Sequence, residues 1–86
     1  MRSNQDPALL RAFAAELKAR RAALNISQEG LAHASEVNRT FVAKLELATT
    51  SPSLTSIFRL ANGLQIAPWE LVLSLQERYE KELTSV

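Results

Sequence analysis

The sequence predicts an all-α domain of five helices and no strand, and three observations carry that reading. Apolar residues recur three and four positions apart in successive runs, the spacing that lines one face of a helix. Asp, Ser or Asn precede most of these runs, where the first unpaired N–H groups of a helix need an acceptor. Only two Gly and three Pro occur, which favours long helices and short connections. At 86 residues the chain is one domain near the lower limit for a self-sufficient core. With 47% hydrophobic residues but 6% aromatics, that core must be built of Ala, Leu, Ile and Val.

Residues 1–6 read as a flexible polar arm and 7–86 as the domain. Asp6 is a cap and Pro7 a first helical residue, and from Ala8 to Leu24 the set Leu10, Phe13, Ala14, Leu17 and Leu24 lines one face of helix one. Asn25 and Ile26 turn the chain into Ser27, with Ile26 placed to staple hydrophobically onto the next helix. Residues 27–46 then form two short helices joined once. Ser27 caps the first, which carries Leu31 and Ala32. The pattern slips at Ser35–Glu36, and Asn38 caps the second, which places Phe41, Val42 and Leu45 inward. Arg39, Thr40, Ala43 and Lys44 fall on the opposite face as a polar stripe about as wide as a groove contact. This is the shape expected of a helix-turn-helix.

Residues 47–53 read as a loop and Ser53 as the cap of helix four, with Leu54, Ile57, Phe58, Ala61 and Leu64 toward the core and Gly63 as its C-terminal cap. Helix five, about 67–84, opens with Pro68 and Glu70 and carries Leu71, Val72, Leu75, Tyr79 and Leu83. This apolar stripe outruns the domain, so Trp69, Leu75, Tyr79 and Leu83 are expected at a homodimer interface; the alternative is that helix five folds back on helix one.

Several function classes are excluded or weakened. There is no cysteine, hence no disulfide or zinc–thiolate site, and the single histidine, His33, belongs on an outer surface. No glycine-rich phosphate loop or carboxylate cluster with metal spacing is present, so an enzyme is the least favoured class and no cofactor is expected. No run approaches the ~20 apolar residues of a membrane span and no signal peptide is visible, which points to a cytoplasmic protein without a membrane partner. Net charge is only +1, with seven basic against five acidic residues in 1–46 and three against four in 47–86. So small an excess predicts modest non-specific nucleic-acid affinity and a need for dimerisation or a partner.

The run Ser27-Gln28-Glu29, Leu31-Ala32, Val37, Arg39, Phe41-Val42, Leu45-Glu46, continued through Pro52-Ser53-Leu54 and Leu60-Ala61 to Leu64, with Leu17 and Arg21 upstream, resembles the phage repressor/Cro-type (xenobiotic-response-element class) helix-turn-helix regulators over about residues 9–75. The resemblance implies a five-helix repressor-like fold with the motif as helices two and three, and a transcriptional regulator that binds double-stranded DNA as a dimer on a pseudo-palindromic operator. Recognition helix 38–47 would lie in the major groove. It implies base reading by Arg39, Thr40, Ala43 and Lys44 and phosphate contacts from Ser27, Gln28, Asn38, Phe41 and Thr49. It also implies a structural ion pair between Arg21 and Glu46. A prophage-type repressor, a restriction–modification controller and an antitoxin remain open. The alternative is a protein-interaction module, antitoxin-like, with a protein partner and weak DNA binding. Two departures matter. The family's turn glycine is Glu36 here, which puts a non-glycine residue at positive φ at about 1 kcal/mol. The family's arginine-glycine after the recognition helix is Leu47-Ala48, which removes phosphate charge.

Overall fold

In the computed structural model, which describes residues 5–84, the described chain holds five helices: α1 (Pro7–Leu24), α2 (Gln28–Ser35), α3 (Arg39–Glu46), α4 (Leu54–Gly63) and α5 (Pro68–Thr84). Most of the expected polar arm, residues 1–4, lies outside the described residues. Each of the first four helices begins on a side-chain cap. Asp6 accepts from the N–H groups of Ala8 and Leu9, Ser27 from Gly30, Asn38 from Phe41 and Ser53 from Ser56. Each such bond satisfies an N–H that has no partner inside the helix and stabilises by about 1 kcal/mol.

The same four helices end alike. Asn25, Glu36, Ala48 and Gln65 adopt φ of 55, 56, 59 and 62°, all in the left-handed region and none glycine. The following N–H then reaches back to close the helix: Ile26 to Arg21 O, Val37 to Ala32 O, Thr49 to Lys44 O and Ile66 to Ala61 O, at 3.0–3.2 Å. Ile26, Val37 and Ile66 pack on the core directly after the turn. Burial of these side chains offsets a left-handed cost of about 1–2 kcal/mol at each of those turns. The positive φ expected of Glu36 is present.

Leu17, Leu31, Val42, Leu45, Leu60 and Leu71, all essentially inaccessible, form the centre of a core that draws on every helix. α1 packs against α5 and α3, while α2 lies between α3 and α4. Helix four is rotated relative to the sequence expectation. Leu54 and Phe58 are exposed and Leu60 is buried instead, because the helix presents its 57–60–61–64 face to α2. Leu24 also leaves the core, at the exposed end of α1.

Gly63 does not cap helix four by its backbone freedom. It is the last helical residue, without positive φ, and the left-handed residue is Gln65. Its role is close approach: a Cβ there would stand 1.9 Å from Ser35 Oγ and 3.0 Å from the Ser35 backbone nitrogen. The Ser35 hydroxyl is buried against this glycine without a hydrogen-bond partner. Since backbone as well as side chain is in the way, α2 and α4 must move apart to admit a methyl group. Gly63→Ala is therefore expected to lower stability by about 2 kcal/mol in thermal or urea melts, despite the better helix propensity of alanine.

Helix five folds back along α1, and polar bonds hold much of the seam. Glu16, buried, receives Arg20 Nε at 2.7 Å and Arg78 Nε at 2.6 Å. Arg20 also donates to Ser74 Oγ, Arg11 pairs with Glu82, and the Tyr79 hydroxyl donates to the Asp6 carboxylate that caps α1. That bond holds the Asp6 carboxyl below its ordinary range and pushes the Tyr79 hydroxyl above its own. No helix among the described residues is long and apolar enough to cross a membrane.

Candidate nucleic-acid interface

The outward face of α3 is built by what its inward face must do. Val42 and Leu45 are buried, and Phe41 packs half-buried against the same core. With those three positions fixed, the 3.6-residue period sends Arg39, Thr40 and Lys44 to solvent, with Ala43 half-buried among them. No hydrogen bond or ion pair among the described residues engages the side chains of Arg39, Thr40 or Lys44. The helix thus offers a guanidinium, a hydroxyl, a methyl and an ammonium on one short stripe. Such groups can pair with guanine O6 and N7, reach phosphate, or lie against a thymine methyl.

Behind the stripe, α3 is anchored at its C-terminal end. Arg21 of α1 meets Glu46 side-on, Nε to Oε2 at 2.7 Å and Nη2 to Oε1 at 2.9 Å, while its Nη1 donates to the carbonyl of Ile26 at 2.9 Å. Gln28 of α2 adds a third donor to Glu46, Nε2 to Oε1 at 3.0 Å. One buried carboxylate therefore ties together three helices and the turn that precedes the motif. Burial pushes the Glu46 carboxyl up, but the bonds from Arg21 and Gln28 outweigh it and leave it below its ordinary range; the same bond raises Arg21.

The side chains expected at phosphates are placed as follows. Ser27 and Asn38 stand at the exposed N-termini of α2 and α3 and use their oxygens as caps, so an anion would meet the backbone N–H groups beside them. The amide of Gln28 is bonded to Glu46. Phe41 is half-buried, and the Thr49 hydroxyl donates to the Lys44 carbonyl at 3.0 Å, fastening the turn after α3. Two structural roles were not read from the sequence. Arg59 Nη1 approaches the Glu36 carbonyl at the end of α2 at 3.4 Å, and Glu16 serves as a buried acceptor for two arginines; only its spacing of four from Arg20 was readable. Of the residues expected at a dimer interface, Trp69 and Leu83 are exposed, Leu75 is half-buried against the core, and Tyr79 is bonded to Asp6. Among the described residues no group of three His, Asp or Glu side chains is arranged to hold a metal ion.

The profile of the helix-turn-helix family matches residues 17–71, the part of the chain that contains this geometry. The chain belongs to the helix-turn-helix family. Among solved structures, this helix-turn-helix chain is similar to the restriction–modification controller protein C.AhdI from Aeromonas hydrophila, with 39% identity over 72% of this chain and 94% of that one and a TM-score of 0.69. It shares the fold of the wild-type restriction–modification controller protein C.Esp1396I, at 23% identity over 85% and 95% of the two chains with a TM-score of 0.77. The clp gene regulator ClgR from Corynebacterium glutamicum also has this fold, at 20% identity over 88% and 81% with a TM-score of 0.79. No curated protein matches the chain.

The clasp gives two expectations. In a double-mutant cycle read by thermal melting, Arg21→Ala and Glu46→Ala are each expected to cost about 2 kcal/mol or more, and the double variant less than the sum, because the single variants strand a charge in a half-buried site. Additive losses would show that the two charges do not cooperate. The second concerns pH. A carboxyl whose pKa is lowered in the folded state binds its proton more readily unfolded, so the stability that Glu46 contributes is complete above the unfolded carboxylate pKa of about 4.3 and drains as pH falls through the lower folded value. Melts of wild type and Glu46→Gln are accordingly expected to differ most near neutrality and to converge on acidification.

Proposed function

We propose that this chain is a transcriptional regulator that binds a double-stranded operator as a homodimer, with α3 in the major groove and α2 across the backbone. The observation that carries the reading is the unengaged stripe of Arg39, Thr40, Ala43 and Lys44 on a helix whose buried face and C-terminal clasp fix its orientation. Arg39 lies at the N-terminal end, which enters the groove first in this geometry, and is the best placed for guanine. Lys44 serves a guanine or a phosphate, and Thr40 and Ala43 serve thymine methyls. Backbone N–H groups at the starts of α2 and α3, beside Ser27, Gln28 and Asn38, take phosphates, while Phe41 and Thr49 border them.

Apolar side chains on the outer faces of α4 and α5 support the dimer. Leu54 and Phe58 on the one, and Trp69, Val72 and Leu73 on the other, are all exposed. Trp69 keeps the interface role expected of it and Leu83 extends the same side of α5, whereas Leu75 and Tyr79 support the helix from behind. A two-fold pair would set the recognition helices about 34 Å apart, so the operator is a pseudo-palindrome. The identity to C.AhdI favours a restriction–modification controller over a prophage-type repressor or an antitoxin. The exposed apolar faces and a net charge of only +1 favour one other reading, a protein-interaction module with weak DNA contact.

Selection of purified protein on a randomised duplex library near physiological salt separates the two. Wild type is expected to enrich an inverted repeat, with a shallow salt dependence because few phosphates are neutralised, and Arg39→Ala/Lys44→Ala to lose the enrichment. No enrichment by wild type would move the function to the apolar faces of α4 and α5.

A further inference from the structure

Leu47 is the residue directly after α3 and is 73% exposed. It lies three positions beyond Lys44 and four beyond Ala43, and its near-helical backbone (φ −89°, ψ 0°) continues the helical path, so it stands on the same stripe as the residues turned toward DNA. Its backbone is held by the turn. The Leu47 N–H donates to Ala43 O at 3.0 Å, and the next two N–H groups close the turn onto Leu45 O and Lys44 O, both at 3.1 Å. The fold gives this leucine no interior to pack into, and the turn needs only its backbone. An exposed apolar side chain held at the end of a groove-facing stripe fits one chemical feature of the groove floor, since the only alkyl group a base pair presents there is the 5-methyl of thymine.

We propose that Leu47 extends the recognition surface and reads a thymine by its methyl group, at a base pair flanking those contacted by Arg39, Thr40, Ala43 and Lys44. This rests on the operator-binding reading above. At 1.5 Å of rise per residue, Leu47 lies about 12 Å along the helix axis from Arg39, well beyond the reach of a single base pair. The residue therefore addresses a different base pair from the one read at the N-terminal end of α3. A leucine accepts no hydrogen bond and donates none, so it discriminates by apolar contact alone and leaves the phosphate contacts unchanged.

The test uses the operator obtained by selection, with each thymine of the half-site replaced in turn by deoxyuridine, which keeps every hydrogen-bonding edge and removes one methyl group. Binding of wild type and Leu47→Ala is compared on each duplex. One flanking thymine is expected to weaken wild type about fourfold when demethylated, the factor that corresponds to burying one methyl-sized group, and to leave Leu47→Ala unaffected. Demethylation effects equal in both proteins at every position belong to Thr40 and Ala43 and would overturn the assignment while keeping the regulator. A half-site with no flanking thymine would overturn it as well. A wild type that enriches no sequence overturns the regulator and this assignment together. Because Leu47 is exposed, Leu47→Ala is expected to melt as wild type does, which separates a lost contact from a lost fold.

Discussion

The setting of α3 on the domain is secured by one buried carboxylate. Glu46 ends α3, and its two oxygens take three donors, two from Arg21 and one from Gln28, while the remaining arm of the Arg21 guanidinium holds the carbonyl of Ile26. A planar fork matched to a planar carboxylate fixes angle as well as distance, which an apolar contact of equal area does not. Apolar packing through Val42 and Leu45 decides which face of α3 lies on the core and so which way Arg39, Thr40 and Lys44 point. The clasp holds the C-terminal end of the helix in that setting. A buried charge is costly unless its bonds are complete, and here both carboxylate oxygens are bonded.

The rest of the domain repeats a few local devices. Four side-chain caps start helices and four left-handed turns end them, which is how five helices fit into a radius of gyration of 12.4 Å with three of the four connections only three or four residues long. The turns use Asn, Glu, Ala and Gln where glycine would be easiest, and at Asn25, Glu36 and Gln65 the compensating side chain is the next residue, Ile26, Val37 or Ile66, pressed into the core. One of the two glycines is spent elsewhere, at the closest approach of α4 to α2. The result is a motif of two short helices held by the core beneath, by Arg59 at the end of α2 and by the clasp at the end of α3, with the outer face of α3 left open.

The seam between α1 and α5 follows a different logic. Leu71 and Leu75 supply its apolar part, and beyond them the helices are joined by Glu16 with Arg20 and Arg78, by Arg11 with Glu82, and by Asp6 with Tyr79. This arrangement turns Trp69, Val72, Leu73 and Leu83 outward. Leaving those side chains in water forfeits the burial energy they would gain against a partner, which is why this side of the molecule is the one we propose for association.

Helix number, caps, the helix-turn-helix and its outward stripe were legible in the sequence, because each follows from short-range chemistry: an acceptor before a helix, apolar residues at a 3.6 period, and polar residues on the remaining face. The Arg21–Glu46 pair was legible only through resemblance, since nothing in a separation of 25 residues brings two charges together. The rotation of α4 that exposes Leu54 and Phe58 was decided by tertiary structure, as were the inward placing of Leu75 and Tyr79, the burial of Glu16 between two arginines, and the true role of Gly63. The physical reason is the same in each case. A helix with apolar residues on more than half of its circumference has several faces it could bury, and only the shape and charge of the neighbouring helix choose among them.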